Sequence, residues 1–210
     1  MIKIIAIERE FGSGASVIAE KLARRLGWRL LDRQLTGEIA RLAKVSEAAV
    51  KHCEERVDPL FYRLSKVFWR GSYERSLPVA GLETFDADQM VALMQRVVGE
   101  AAAAGNCVIV GRGAPYFLRD RTDTLVVFLF APRELKLRRA LGFSKSEAEA
   151  SELVDTVDQQ RAAFVKHYFA RDWPHRPLYH VMLYTALGDD ITIDAIVNLM
   201  NALNREGGSR

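Results

Sequence analysis

Cysteine is scarce in this sequence: Cys53 and Cys107 are the only two among 210 residues. Neither has a neighbour at metal-ligand spacing. Two thiols in a chain this long suit a reducing compartment rather than a disulfide framework, although they leave room for one bridge. The four histidines, His52, His167, His175 and His180, also lack metal spacing. No Ser–His–Asp or Cys–His set is evident. An excess of one charge is missing as well, with 30 basic against 27 acidic residues and a net +3. That balance argues against a nucleic-acid surface, which needs a concentrated basic stripe. No apolar run approaches the ~18 residues of a membrane span, and the run after Met1 stops at Glu8, too short for a secretory leader. The expectation is a cytoplasmic protein without nucleic-acid or membrane partners.

What remains is the mix of one soluble domain, 49% apolar and 27% charged, without repeats or low-complexity linkers. Strands and helices alternate along it. Residues 2–7, 28–31, 107–110, 125–130 and 180–183 are short apolar runs of the kind buried on both faces of a sheet. Cys107 falls in one of them and reads as a small buried hydrophobe. Helical spacing follows at Ile18, Leu22 and Leu26, with Gly27 as the stop. It recurs at Ile39, Leu42 and Ala43, and after Asp58-Pro59, an N-cap followed by a proline at the first helical position. Residues 71–85 have no period and read as a loop. Met90, Met94, Val97, Val98 and Ala101 form a further stripe, ended by Gly105-Asn106. Ser146 and Glu149 match a capping box ahead of Leu153, Val154 and Val157, and Ile193, Ile196, Val197 and Met200 make the last helix. These Met and aromatic stripes are read as core packing. Five buried strands separated by helices predict an α/β fold, a three-layer five-stranded parallel sheet with helices on both faces. Ligands of such sheets bind beyond the carboxyl ends of the strands.

Just past the first strand stands Glu8-Arg9-Glu10-Phe11-Gly12-Ser13-Gly14-Ala15-Ser16, opening straight into a helix. Two glycines let the backbone wrap a phosphate, and the helix start aims free N–H groups at it. A dinucleotide reading takes Gly12-x-Gly14-x-x-Val17, with Asp32 for the ribose hydroxyls. Val17 is too bulky for the third position, and four residues separate strand from glycine. A P-loop reading makes Gly14 the second glycine of GxxxxGK[ST] and Ser16 the Mg²⁺-binding hydroxyl. Arg9 then stands at the first glycine's place and Ala15 at the lysine's. A purely structural turn is the third reading.

The order of the motifs favours the P-loop. Arg9 to Gly14, then Leu31-Asp32-Arg33, then Val110-Gly111-Arg112-Gly113, and later Asp158, Arg161, Tyr168, Trp173 and Tyr179 together resemble the cytidylate kinase-like family over nearly the whole chain. That family tends to lack the P-loop lysine, so Ala15 agrees with it, whereas Tyr184 stands where asparagine is expected before Thr185. The resemblance implies a P-loop NTPase fold over residues 1–205, with a helical monophosphate-binding insertion at 33–104, a lid at 141–175 and a disordered tail at 206–210. It implies ATP and Mg²⁺ as cofactors and a nucleoside monophosphate as substrate.

Each site residue carries a functional reading and a plainer one. Gly12, Ser13, Gly14, Ala15 and Ser16 would cradle the ATP phosphates, Ser16 also holding the metal or merely capping its helix. Gly111, Arg112 and Gly113 would grip the acceptor phosphate, with a surface salt bridge as the plainer role for Arg112. Asp32 would orient an acceptor hydroxyl or a metal-bound water, or cap a helix. Arg9 would replace the missing lysine, or pair with Glu8 or Glu10. Arg139 and Arg161, with Arg133 and Arg138, would neutralise charge from the lid or form a solvated helix face.

Overall fold

The computed structural model of the chain describes residues 1–32, 87–142, 144 and 146–207. The helical stretches expected near 39–43 and 58–68, and the loop expected over 71–85, lie outside the described residues. The chain begins with β1 (Ile4–Arg9), α1 (Ala15–Leu26) and β2 (Arg29–Leu31). Next come α2 (Ala87–Ala104), β3 (Cys107–Val110), the single-turn α3 (Ala114–Phe117) and β4 (Thr124–Phe130). It ends with α4 (Arg133–Leu141), α5 (Glu147–Phe169), β5 (Val181–Tyr184) and α6 (Asp189–Gly207). Short 3₁₀ turns at Arg176–Leu178 and Thr185–Leu187 flank β5.

The described strands form one parallel five-stranded sheet in the order β2-β3-β1-β4-β5. Its two faces divide the core by strand alternation. Ile4, Ala6, Cys107 and Ile109 turn toward α2, α3 and α5, where Met94, Val97, Val98, Phe164 and Val165 meet them. Ile5, Ile7, Val108, Val110, Leu125 and Val127 turn toward α1 and α6, against Ile18, Leu22, Ile193 and Ile196. Double-sided burial is what lets these strands be apolar throughout.

Local signals set the helix ends. Gly27 caps α1 in the left-handed conformation, its N–H donating to the Ala23 and Arg24 carbonyls. The Ser146 hydroxyl accepts from the Glu149 N–H at 3.1 Å, starting α5 as the capping box predicts. Lys21 to Asp189 (2.9 Å) and Arg25 to Asp194 tie α1 to α6. Several boundaries shift from the sequence reading: β1 spans Ile4–Arg9 and not 2–7, β2 begins at Arg29 and β4 at Thr124. β5 starts at Val181, just after His180, whose N–H donates to the Val126 carbonyl and whose Nδ1 accepts from the Val126 N–H, both at 2.9 Å. α6 continues to Gly207, two residues into the stretch expected to fray. No helix among the described residues is long and apolar enough to cross a membrane.

Candidate phosphate-loop active site

β1 is the middle strand, so the loop that follows it, residues 10–14, opens at the centre of the sheet's carboxyl edge. Gly12 and Gly14 both take positive φ, +72° and +82°, which costs glycine nothing and other residues strain. Gly14 is the N-cap of α1 and provides no side-chain cap. The first N–H groups of α1 therefore point outward without a side-chain acceptor, unlike those of α5, and can receive an anion. Ser13 is 1% exposed, and its hydroxyl has no hydrogen-bond partner among the described residues. A buried orphan hydroxyl at the mouth of such a loop fits a phosphate oxygen. Ser16 is exposed on the first turn of α1, and Ala15 is buried among Ile5, Ile7 and Ile18.

The loop is fastened from below and from the side. Glu10 N–H donates to the Leu129 carbonyl at 2.9 Å. The Thr185 hydroxyl donates to the Ser13 carbonyl at 2.7 Å, holding the loop to the end of β5. From α5, Asp158 Oδ1 accepts from the Phe11 N–H and from Arg161 Nη1, both at 2.8 Å, and Arg161 Nη1 also donates to the Arg9 carbonyl at 3.1 Å. From α4, Lys136 Nζ reaches Glu10 at 3.0 Å and Asp158 at 3.4 Å. Phe11 packs with Ala140, Ala150, Val154 and Val157, so the α4–α5 pair is clamped to the loop by an apolar contact as well.

Beside the loop, Glu8, Arg9, Arg112, Gly113, Arg161, Phe164 and Val165 line a small cleft. Arg112 is 5% exposed and sits at φ +60°, between Gly111 at +66° and Gly113 at +72°. It is a buried cation and not a surface charge. A non-glycine residue held left-handed inside a buried turn is a conformation the surroundings must enforce. Gly111 is favoured by its φ of +66°, and a Cβ there would displace the Arg9 guanidinium that lies against it. Arg9 thus lies across the end of β3, ion-paired to Glu8 at 3.6 Å with both side chains nearly buried. Tyr116 and Tyr179 stand near the same carboxylate. Burial pushes the Tyr116 phenol up to about 12, the Tyr179 hydroxyl opposes the rise, and Glu8 adds to it.

The structure therefore gathers the sequence-derived candidates into two neighbouring groups. Gly12, Ser13, Gly14 and Arg139 meet at the start of α1, with Ser16 on the helix's outer side. Arg9, Gly113, Arg112 and Arg161 surround the cleft, and Gly111 supports Arg9. Asp32 stands apart, half-buried just after β2, the edge strand of the sheet. Arg133 pairs with Asp155 on the exposed face of α4, the solvated role. The pairing of Arg9 with Glu8 is the plainer role read from the sequence, whereas sequence reasoning missed Lys136, Asp158 as an anchor, and Thr185. Of these, Asp158 carried a signal: it stands three residues from Arg161, already singled out, on the same helix face.

Solved structures share this architecture. An uncharacterised protein from Eubacterium ventriosum matches with TM-score 0.68 and 20% identity, over 96% of this chain and 99% of that one. Shikimate kinase from Acinetobacter baumannii, solved in complex with shikimate, matches with TM-score 0.53 and 17% identity, over 96% and 94%. Shikimate kinase from Bacteroides thetaiotaomicron gives TM-score 0.53 and 18% identity, over 98% and 99%. These likenesses establish the fold as that of P-loop kinases. Among curated proteins nothing matches the chain. The model of the cytidylate kinase-like family matches residues 4–187, nearly the whole fold from β1 through the turn after β5, and this chain belongs to that family.

Proposed function

We propose that the chain transfers the γ-phosphoryl group of ATP to a nucleoside monophosphate, with CMP or dCMP as the first acceptors to test, in the cytoplasm. The observation that carries this reading is the pairing of an uncapped helix start at Gly14 with a buried guanidinium group, Arg9, Arg112 and Arg161, on the adjacent strand end. One anion-binding place receives the donor phosphates and the other the acceptor phosphate. An acceptor oxygen then attacks the γ-phosphorus while the bond to the ADP oxygen breaks, chemistry that needs positioning and charge neutralisation more than a covalent group. Gly12 to Ser16 would cradle the donor phosphates, and Mg²⁺ would arrive with the nucleotide and meet the exposed Ser16 hydroxyl. Arg112 would fix the acceptor phosphate with two parallel N–H bonds. Asp32, at the start of the monophosphate-binding segment, would orient an acceptor hydroxyl.

A coupled assay for ADP release across the common monophosphates tests the reading, with shikimate and simple sugars, acceptors suggested by the neighbouring folds, as comparators. Release dependent on one monophosphate supports it. Release with shikimate or a sugar alone would move the acceptor to an alcohol. The second reading, a nucleotide-binding module without catalysis, is favoured by one feature, the apolar Ala15 where the lysine belongs. It predicts nucleotide-dependent stabilisation with no ADP release from any acceptor.

A further inference from the structure

We propose that Arg139, delivered by α4, is the cation that faces the β- and γ-phosphates in this chain, taking over the task left by Ala15. The inference rests on the phosphate-donor reading above and names the residue that completes it.

Position is the first argument. A Cβ built on Gly14 would lie 2.9 Å from Arg139 Cζ and 3.0 Å from both Nη1 and Nη2. The guanidinium therefore lies flat against the residue that opens α1, in space only glycine leaves free. Orientation is the second. Nη1 donates to the Gly12 carbonyl at 3.1 Å and to the Thr185 hydroxyl at 3.3 Å. Both bonds use one nitrogen, so Nη2 and Nε keep their donors for a ligand.

Charge is the third argument. The other cations placed around the loop have carboxylates: Arg161 has Asp158, Lys136 has Glu10 and Asp158, and Arg9 has Glu8. Arg139 has no ion pair among the described residues. Burial lowers its pKa, the distant Asp189 opposes that, and neighbouring Arg138 adds to it. A half-buried, unneutralised guanidinium is costly until an anion arrives. Rigidity is the fourth. A Cβ on Gly12 would come within 2.9–3.0 Å of the Lys136 backbone and Cβ, so α4 lies directly on the loop. With Lys136 bridging to Glu10 and Ala140 packed on Phe11, the guanidinium is fixed relative to the phosphates it would meet.

The alternatives fail on position. Ala15 has no charge, and Arg9 lies against Gly111, on the acceptor side. Arg139 would offer a fork where lysine offers a point charge, matching two oxygens at once. It neither gains nor loses a proton while the γ-phosphoryl group moves from ATP to the acceptor and ADP leaves.

The test is calorimetric binding with Mg²⁺ present, using a non-hydrolysable ATP analogue and AMP on wild type, Arg139→Ala and Arg139→Lys. Removing the guanidinium is expected to weaken the analogue by about ten- to a hundredfold and AMP by little, with Arg139→Lys retaining most of the affinity. Undiminished binding in Arg139→Ala, an equal loss for AMP, or a lysine variant as weak as alanine would each overturn the inference while leaving the phosphate loop standing. A wild type that binds neither nucleotide sinks the loop reading itself, and the inference with it. Should Arg139→Ala not fold, Arg139→Gln keeps a donor for Gly12 and Thr185 and is expected to show the same selective loss.

Discussion

Asp158 is where the phosphate loop can be loosened without touching a phosphate contact. Its carboxylate accepts from the Phe11 N–H and Arg161 at 2.8 Å and faces Lys136 at 3.4 Å, with the Asp158 side chain 16% exposed. Asp158→Ala removes the carboxylate that the Arg161 guanidinium, the Phe11 N–H and the Lys136 ammonium share. Removing one partner of such a pair costs about 3–5 kcal/mol when fully buried. The residual exposure here and the surviving Lys136–Glu10 contact put the expected loss near the bottom of that range, about 3 kcal/mol. For a chain of 210 residues, that corresponds to a fall in Tm of roughly 6–12 °C. Asp158→Asn keeps an oxygen for Phe11 and should lose about half as much. Differential scanning fluorimetry of the three proteins reads the stability, and ADP titration reads the loop: affinity should fall in the order wild type, Asn, Ala. A Tm for Asp158→Ala within a degree of wild type would refute the network as a structural anchor. Unchanged ADP affinity in a destabilised variant would refute its connection to the loop.

Other substitutions probe separate parts. Arg112→Met is expected to raise the KM for the monophosphate by about ten- to a hundredfold through loss of a charge-assisted contact, and unchanged kinetics would remove Arg112 from the acceptor site. Ala15→Lys should destabilise the fold, because position 15 is 4% exposed among the apolar side chains of α1 and β1, and it should not tighten nucleotide that Arg139 already meets; tighter binding with an unchanged Tm would contradict both points. His180→Ala strips the Val126 N–H of its acceptor and should cost about 1–3 kcal/mol, readable by urea unfolding. In alkaline solution, Tyr116, raised to about 12 by burial, keeps its proton in the native state after the unfolded chain has lost it. The stability it contributes is full below about pH 10 and is lost as pH rises toward 12. Tyr116→Phe should flatten that limb of the pH–stability curve, and an identical limb would show that Tyr116 does not produce it.

The sheet was legible because its strands are short, apolar and β-branched, and because glycine stops and one capping box mark the helix ends. Those signals are local, and among the described residues they place the strands to within two residues: β1 is shifted by two, and β2, β4 and β5 differ by one. The site was legible only in part, for a reason that follows from the fold. In a parallel sheet the residues that meet at the carboxyl edge come from loops far apart in sequence, so their pairing is set by strand order and not by spacing. Nothing in the run Arg133-Glu134-Leu135-Lys136-Leu137-Arg138-Arg139 says which cation turns inward. The structure turns Arg133 to Asp155 in solvent, Lys136 to Glu10, and Arg139 to Gly12 and Gly14. Spacing alone does not make the choice: Arg133, Lys136 and Arg139 are each three apart, yet Arg133 pairs with Asp155 in solvent while the other two meet the loop.

The same logic bears on Ala15. A lysine at that position serves a loop whose cation must come from its own helix. Here α4 lies on the loop closely enough that a Cβ on Gly12 would meet the Lys136 backbone, and its arginine occupies the space that a side chain at 14 would need. The second glycine is thus demanded twice, by its φ of +82° and by the guanidinium above it. Gly14→Ala is the substitution that separates the two demands from a general loss of loop flexibility. It forces a strained backbone and displaces Arg139 together, whereas Gly27→Ala, also at positive φ but with open space around its Cβ, imposes the backbone strain alone. Both variants should lose about 1–2 kcal/mol of stability from the left-handed conformation, but only Gly14→Ala should lose affinity for the ATP analogue. Retained affinity in a folded Gly14→Ala protein would mean that neither the backbone conformation at Gly14 nor the guanidinium packed on it governs phosphate binding.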